Sequence, residues 1–167
     1  MAYVMGFFSA FLLLRCLLGT SINNNRISQE GKFQGAQYWK PGFTQNVDTL
    51  YETSFARFQL HHVLLEDGTT VKDWMWYDEA DNVNVLVETQ QSTFLIFKQT
   101  KYGIPEASSL AVVGGLIEPG EDPLKAAQRE LQEELGMTSS DWKTLGNFRA
   151  AANRGGTTFV FWVRRGR

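Results

Sequence analysis

The chain has a single cysteine, Cys16, in 167 residues. One thiol excludes an intrachain disulfide framework and a cysteine-ligated zinc site. Histidine is almost as scarce. His61 and His62 are the only two, adjacent in a strand-like run, so their side chains point to opposite faces and read as ordinary strand residues. Charge of neither sign dominates: 16 Lys and Arg stand against 18 Asp and Glu. That balance leaves no electrostatic footprint for nucleic acid, and none is expected as a partner. Arg164, Arg165 and Arg167 make a short solubilising tail. No Asn-x-Ser/Thr sequon occurs. Long apolar runs are missing too. The longest, Tyr3 to Leu14, has 12 residues before Arg15, short for a bilayer span but matching the apolar core of a signal peptide.

Residues 1–21 are therefore expected to be a signal peptide or anchor. That implies a secretory, organellar or membrane-anchored location, with a membrane tether at residues 3–19. The alternative is a cytoplasmic protein whose N-terminal apolar helix packs on the domain, since no positive charge precedes the run.

The rest divides into a polar linker at 22–52, holding one edge strand, and a domain at 53–167. Ser54 to Leu64 and Val71 to Tyr77, around an Asp67-Gly68 turn, predict a hairpin. Val83 to Glu88, Thr93 to Gln99 and Leu110 to Val113 predict three further strands. Trp142 to Ala150 and Thr157 to Arg164 predict a last pair, joined at Asn153-Arg154-Gly155-Gly156. Many strands around one strong helix make an α+β domain. Trp74, Trp76, Tyr77, Tyr102 and Phe148 fit core or sheet surface at that spacing, with stacking on an adenine as the alternative reading.

The one strong helix lies within Gly115 to Met137, GLIEPGEDPLKAAQRELQEELGM. Asp122 is a good N-cap, Pro123 sits at the first helical position, and Gly136 falls where a left-handed C-terminal cap is wanted. At about 100° per residue, Leu124, Ala127, Leu131 and Leu135 share one stripe. Glu130, Glu133 and Glu134 form a second stripe beside it. Three like charges at this spacing repel, and in the C-terminal half of a helix the macrodipole disfavours them. Helix stability alone would not put them there. An oxygen-rich acidic cluster suits Mg²⁺ or Mn²⁺, whereas the bland reading is a solvated acidic face.

Gly115, Glu121, Arg129, Glu130, Leu131, Glu133, Glu134, Gly136 and Met137 fill all nine fixed positions of a 23-residue signature. The segment resembles the box of the Nudix hydrolases, which cleave nucleoside diphosphates linked to another moiety with the help of divalent metal ions. Resemblance covers roughly Thr53 to Arg164. The succession Lys98-Gln99, Lys101-Tyr102-Gly103 and Val113 to Glu121 looks like the branch that hydrolyses ADP-ribose or ADP-sugars. It implies a Nudix-type α/β/α sandwich with a mixed sheet. It also implies Glu130 and Glu134 as principal ligands of Mg²⁺ or Mn²⁺, assisted by Glu133 and a backbone carbonyl at Gly114 or Gly115. Arg129 would hold Glu121 in an orienting ion pair. Arg154, in a glycine-flanked turn, is a candidate phosphate contact, with a plain hairpin turn as the competing reading.

Two departures bear on activity. The chain ends 31 residues after Gly136, where family members continue through another strand and a helix. The expectation is a domain shortened at its C-terminus, with an exposed apolar sheet that a homodimer or the N-terminal segment would cover. No Asp or Glu follows Asp141 and no proline follows Pro123. The late-loop glutamate of many pyrophosphatases, and the proline that marks many ADP-ribose hydrolases, thus have no counterpart. The general base is then expected inside the box, at Glu133 or Glu121. The alternative function is a non-catalytic nucleotide-sugar-binding domain.

Overall fold

A computed structural model describes residues 31–105 and 108–164. Three strands, β1 (Thr44–Glu52), β2 (Ala56–Leu64) and β3 (Thr70–Glu79), form an antiparallel sheet in the order β1-β2-β3. β1 runs through the end of the stretch read as a polar linker, at the edge of this sheet. The β1–β2 turn is set by Thr53, whose hydroxyl accepts from the Phe55 and Ala56 amides, both at 3.1 Å. The Asp67-Gly68 turn joins β2 to β3 as expected, with Asp67 Oδ1 accepting from the Thr69 amide at 2.9 Å.

The second sheet contains β4 (Asn82–Glu88), β7 (Val113–Leu116), β8 (Trp142–Phe148) and β9 (Thr158–Arg164), in the order β7-β4-β9-β8. β4 pairs antiparallel with β7 and parallel with β9, so the sheet is mixed. β4 alternates strictly between buried and half-buried residues, and its Val83, Val85 and Val87 face the hydrophobic core of this sheet. Val113, Phe161 and Val163 join them from the neighbouring strands.

That core is closed by helix α1 (Pro123–Leu135). Asp122 caps its start, accepting from the Leu124 and Lys125 amides at 3.0 and 3.1 Å. Gly136 ends it at φ 65°, a left-handed conformation that costs other residues more. Of the expected stripe, Ala127 and Leu131 are buried, with Ala126, while Leu124 and Leu135 pack at the margin. Among the described residues α1 covers one face of the sheet, and Leu116, Leu145 and Phe148 remain exposed.

The middle of the chain differs in detail from the sequence pattern. Thr93 to Gln99 is not one strand. Phe94 bridges back to Glu88, and then β5 (Phe97–Gln99) leaves to pair with β6 (Ser109–Ala111). Likewise Leu110 to Val113 is split between β6 and β7, which bond to different partners. Apolar patterning marks extended chain but carries no information about which strand it joins.

The N-terminal sheet is seated by a buried acid, Asp78, and a half-buried one, Asp81. Asp78 accepts from Arg57 Nε and Nη2 at 3.0 and 2.7 Å and from the Trp76 indole at 2.7 Å. Asp81 accepts the Tyr38 hydroxyl at 2.8 and 2.6 Å and the Thr157 amide at 2.8 Å. His61 is buried and His62 half-buried, in β2.

The location inferred from the N-terminal apolar run is corrected. Among the described residues no helix is long and apolar enough to cross a membrane. The one α-helix among them has 13 residues, about 20 Å at 1.5 Å per residue, against a hydrocarbon core of roughly 30 Å. The run itself, with the tether at residues 3–19, lies outside the described residues. The fold therefore gives a secretory or membrane-anchored placement no support.

Candidate active site

Loop 117–122 folds back so that Glu121 meets the side chain of Arg129, at the middle of α1. The contact is a fork: Arg129 Nε donates to Glu121 Oε1 at 3.0 Å, and Nη2 donates to Oε2 at 2.9 Å. The loop closes through Glu121 Oε2, which also accepts from the Glu118 amide at 3.0 Å. Arg129 Nη2 donates again to the Leu116 carbonyl at 2.9 Å. Nη1 donates to Glu130 Oε1 at 2.7 Å and, more weakly, to Glu133 Oε2 at 3.3 Å. All five guanidinium N–H groups thus have acceptors, something lysine could not reproduce.

The charges respond accordingly. Arg129's hydrogen bonds hold the Glu121 carboxyl below the usual carboxylate range. Glu134 goes the other way. Burial, and then the neighbouring charge of Glu130, push its carboxyl up to about 7, against smaller opposing effects from the Gly114 backbone and Lys101. A half-buried carboxylate beside a second one is an arrangement short of positive charge.

Glycine makes room for this pair. A Cβ on Gly115 would fall on the Glu130 carboxylate, and one on Gly114 would strike the Val83 carbonyl. The β7 backbone therefore lies directly against the acidic flank of α1, an approach that only residues without a side chain allow.

The structure brings together Gly115, Glu121, Arg129, Glu130 and Glu134. Glu133 stands apart: its side chain is 57% exposed, and its polar contact is the long one to Arg129. Among the described residues no three Asp, Glu, His or Cys side chains converge on a common metal position. The residues that could hold an ion here are Glu130 and Glu134, which are electrostatically coupled, with the Gly114-Gly115 backbone beside them. That donor set fits Mg²⁺ or Mn²⁺, because Mg²⁺ sites commonly use one or two carboxylates and fill the remaining positions with water and substrate phosphate.

Arg154 belongs to a different network. Its Nη2 is paired with Glu79, its guanidinium lies 5.4 Å from the Tyr77 ring centroid, and its backbone bridges to Tyr77. The residue braces the β8–β9 loop against β3, and its charge is already matched. Sequence reading gave no warning of the Leu116 carbonyl as an Arg129 acceptor, since a backbone group has no residue signature. It gave Lys101, quoted only for the family resemblance, no role in the site, although its charge is felt at Glu134.

Comparison with known proteins agrees with this geometry. No curated protein matches the chain by sequence. A solved structure titled as that of an ADP compounds hydrolase superposes with a TM-score of 0.58 at 18% identity, covering 81% of this chain and 70% of that one. At that identity the likeness establishes the fold. A family model of the NUDIX domain matches residues 78–166, more than half of the chain and the whole of the Arg129 network. With the box intact in sequence and assembled in space, this chain belongs to the Nudix family of pyrophosphohydrolases.

Proposed function

We propose that the protein hydrolyses the diphosphate bridge of a nucleotide of the ADP-ribose or ADP-sugar class, and that it depends on Mg²⁺ or Mn²⁺. The observation that carries this reading is the pairing of Glu130 with Glu134 against the side-chain-free Gly114-Gly115 backbone. An ion held by Glu130, Glu134 and that backbone would neutralise the diphosphate, orient water and stabilise the leaving oxygen. The structural neighbour titled as an ADP compounds hydrolase supports the adenine-nucleotide class.

Roles follow from how each acid is engaged. Glu121 spends both oxygens on Arg129, whose hydrogen bonds hold its pKa below the usual carboxylate range, so it orients and is a poor proton acceptor. Glu133 is exposed and only weakly tied, which leaves it free to serve as general base within reach of a water. In the reaction, water oxygen bonds to one phosphorus and its proton passes to Glu133. The bridging P–O bond breaks, and the departing phosphate keeps the electron pair. ADP-ribose would give AMP and ribose 5-phosphate.

The experiment is an assay of the purified chain with Mg²⁺ or Mn²⁺ on ADP-ribose, ADP-glucose, NADH, GDP-mannose and nucleoside triphosphates, following released monophosphate. Turnover of an ADP-linked compound, abolished in Glu134→Gln with folding retained, is expected. Binding without turnover across the panel would instead establish the non-catalytic reading.

A further inference from the structure

Two backbone groups meet the Arg129–Glu121 pair. The Leu116 carbonyl accepts from Arg129 Nη2 at 2.9 Å, and the Glu118 amide donates to Glu121 Oε2 at 3.0 Å. Between them lies Ile117, whose amide donates elsewhere, to the Asp81 carbonyl at 2.9 Å. The strand end and the loop that frame the carboxylates therefore hang on the backbone of Asp81, just before β4.

Asp81 is itself fixed through its side chain. Oδ1 accepts from the Thr157 amide at 2.8 Å, and the Tyr38 hydroxyl reaches both carboxylate oxygens, at 2.8 and 2.6 Å. The next residue is held too, the Asn82 amide donating to the Thr157 carbonyl at 3.0 Å. Burial, and then the bond to Asp81, keep the Tyr38 hydroxyl above its ordinary pKa, so it stays a donor. Its ring is steadied in turn by the Arg149 guanidinium, 4.6 Å from the centroid. One acid thus gathers three segments distant in sequence: Tyr38 from before β1, Thr157 from before β9, and Ile117 from the box. A side chain without an acceptor at 81 would leave the Thr157 amide unpaired and free the anchor to shift.

We propose that Asp81, braced by Tyr38, is a positioning residue for the acidic centre: it sets where Ile117 lies, hence where the loop meets Arg129 and where Arg129 meets Glu130. The consequence for metal binding rests on the hydrolytic reading, whereas the hold on the loop does not. Partners that orient metal ligands cost roughly 10- to 100-fold in metal affinity when lost. Asp81 stands further out than Arg129, so the lower end of that range applies.

Two measurements on the full chain test this. Amide hydrogen exchange at Ile117 and Glu118, followed by NMR in excess EDTA, reads the loop. Mn²⁺ titration, followed by the paramagnetic resonance signal of the free ion, reads the centre. Asp81→Ala should speed exchange of both amides at least tenfold and weaken Mn²⁺ binding about tenfold. Asp81→Asn, which keeps an oxygen for Thr157 and Tyr38, should bring both back to within about threefold of wild type, and Tyr38→Phe should cost about threefold in each. Arg57→Lys loosens the forked pair with Asp78 but has no link to Ile117, and should change neither. Far-UV circular dichroism checks each fold, and Tyr38→Phe decides if Asp81→Ala does not fold. Exchange unaltered in Asp81→Ala, an equal change in Arg57→Lys, or faster exchange with unaltered Mn²⁺ affinity would each overturn the proposal. A wild-type chain that takes up no Mn²⁺ defeats the hydrolytic reading instead, and loop exchange then upholds or overturns the anchor by itself.

Discussion

Arg129 and Glu121, eight residues apart in the chain, meet through two parallel hydrogen bonds of 3.0 and 2.9 Å. The same guanidinium reaches Glu130 at 2.7 Å and the Leu116 carbonyl at 2.9 Å. One side chain therefore fixes the loop, the strand end and the Glu130 carboxylate relative to one another. Arg129→Lys keeps the charge but can supply only a single mobile ammonium. Steady-state kinetics should show kcat/KM falling by roughly 10- to 100-fold, the usual cost of losing a group that orients metal ligands. A lysine variant within twofold of wild type would remove Arg129 from the site's design.

Gly115 and Glu130 set a stricter limit. An added methyl at 115 would occupy the position of the Glu130 carboxylate, so Gly115→Ala must displace that acid. Misplacing a reacting constellation by about 1 Å costs on the order of 10²-fold in rate. We expect that loss in kcat/KM with the far-UV spectrum unchanged. Full activity in the alanine variant would mean that Glu130 does not act from the position seen here.

Adding Mg²⁺ should stabilise the fold, because the two half-buried carboxylates disfavour each other without a cation. Ligand at about 100 times its Kd contributes roughly 2.7 kcal/mol, which for a domain of this size raises Tm by roughly 5–10 °C. Differential scanning fluorimetry with Mg²⁺ and then excess EDTA reads this directly. The gain should reverse with chelator and be absent in Glu134→Gln. An equal gain in that variant would place the ion elsewhere.

His61 predicts the acid side of the stability profile. It is 1% exposed, packed between the Trp39 and Trp76 rings, with Nε2 3.1 Å from the Gln59 carboxamide oxygen. Burial holds its pKa below the ordinary 6.5, outweighing the opposing pull of Asp78. The unfolded chain then binds a proton at a higher pH than the folded one. Stability is retained above about pH 6.5 and declines as pH falls from there toward the folded-state pKa, at no more than about 1.4 kcal/mol per pH unit. Urea melts at pH 7.5, 6.5 and 5.5 should show the decline, and His61→Gln should flatten it. An unchanged slope in the variant would assign the decline to other groups.

The sequence by itself determined the local physics of α1 and the identity of its acids. Asp122, Pro123 and Gly136 specify where the helix starts and stops, and its 3.6-residue period puts Ala127 and Leu131 in the core with the glutamates on the flank. Hairpin turns at Asp67-Gly68 and before Thr157 were legible for the same reason: turn chemistry and periodicity act over a few residues. Tertiary structure alone decided what touches what. Strand partners, the split of Leu110 to Val113 between two sheets, and the approach of β7 to Glu130 all depend on contacts between distant segments. So do the unequal fates of three glutamates on one helix: Glu130 tied to Arg129, Glu134 half-buried beside it, Glu133 left in solvent. Arg154 shows the same limit, since its residue type suggested phosphate while its folded position pairs it with Glu79. Local rules place a side chain on a face; only the packed neighbour on that face sets its charge, its freedom and its task.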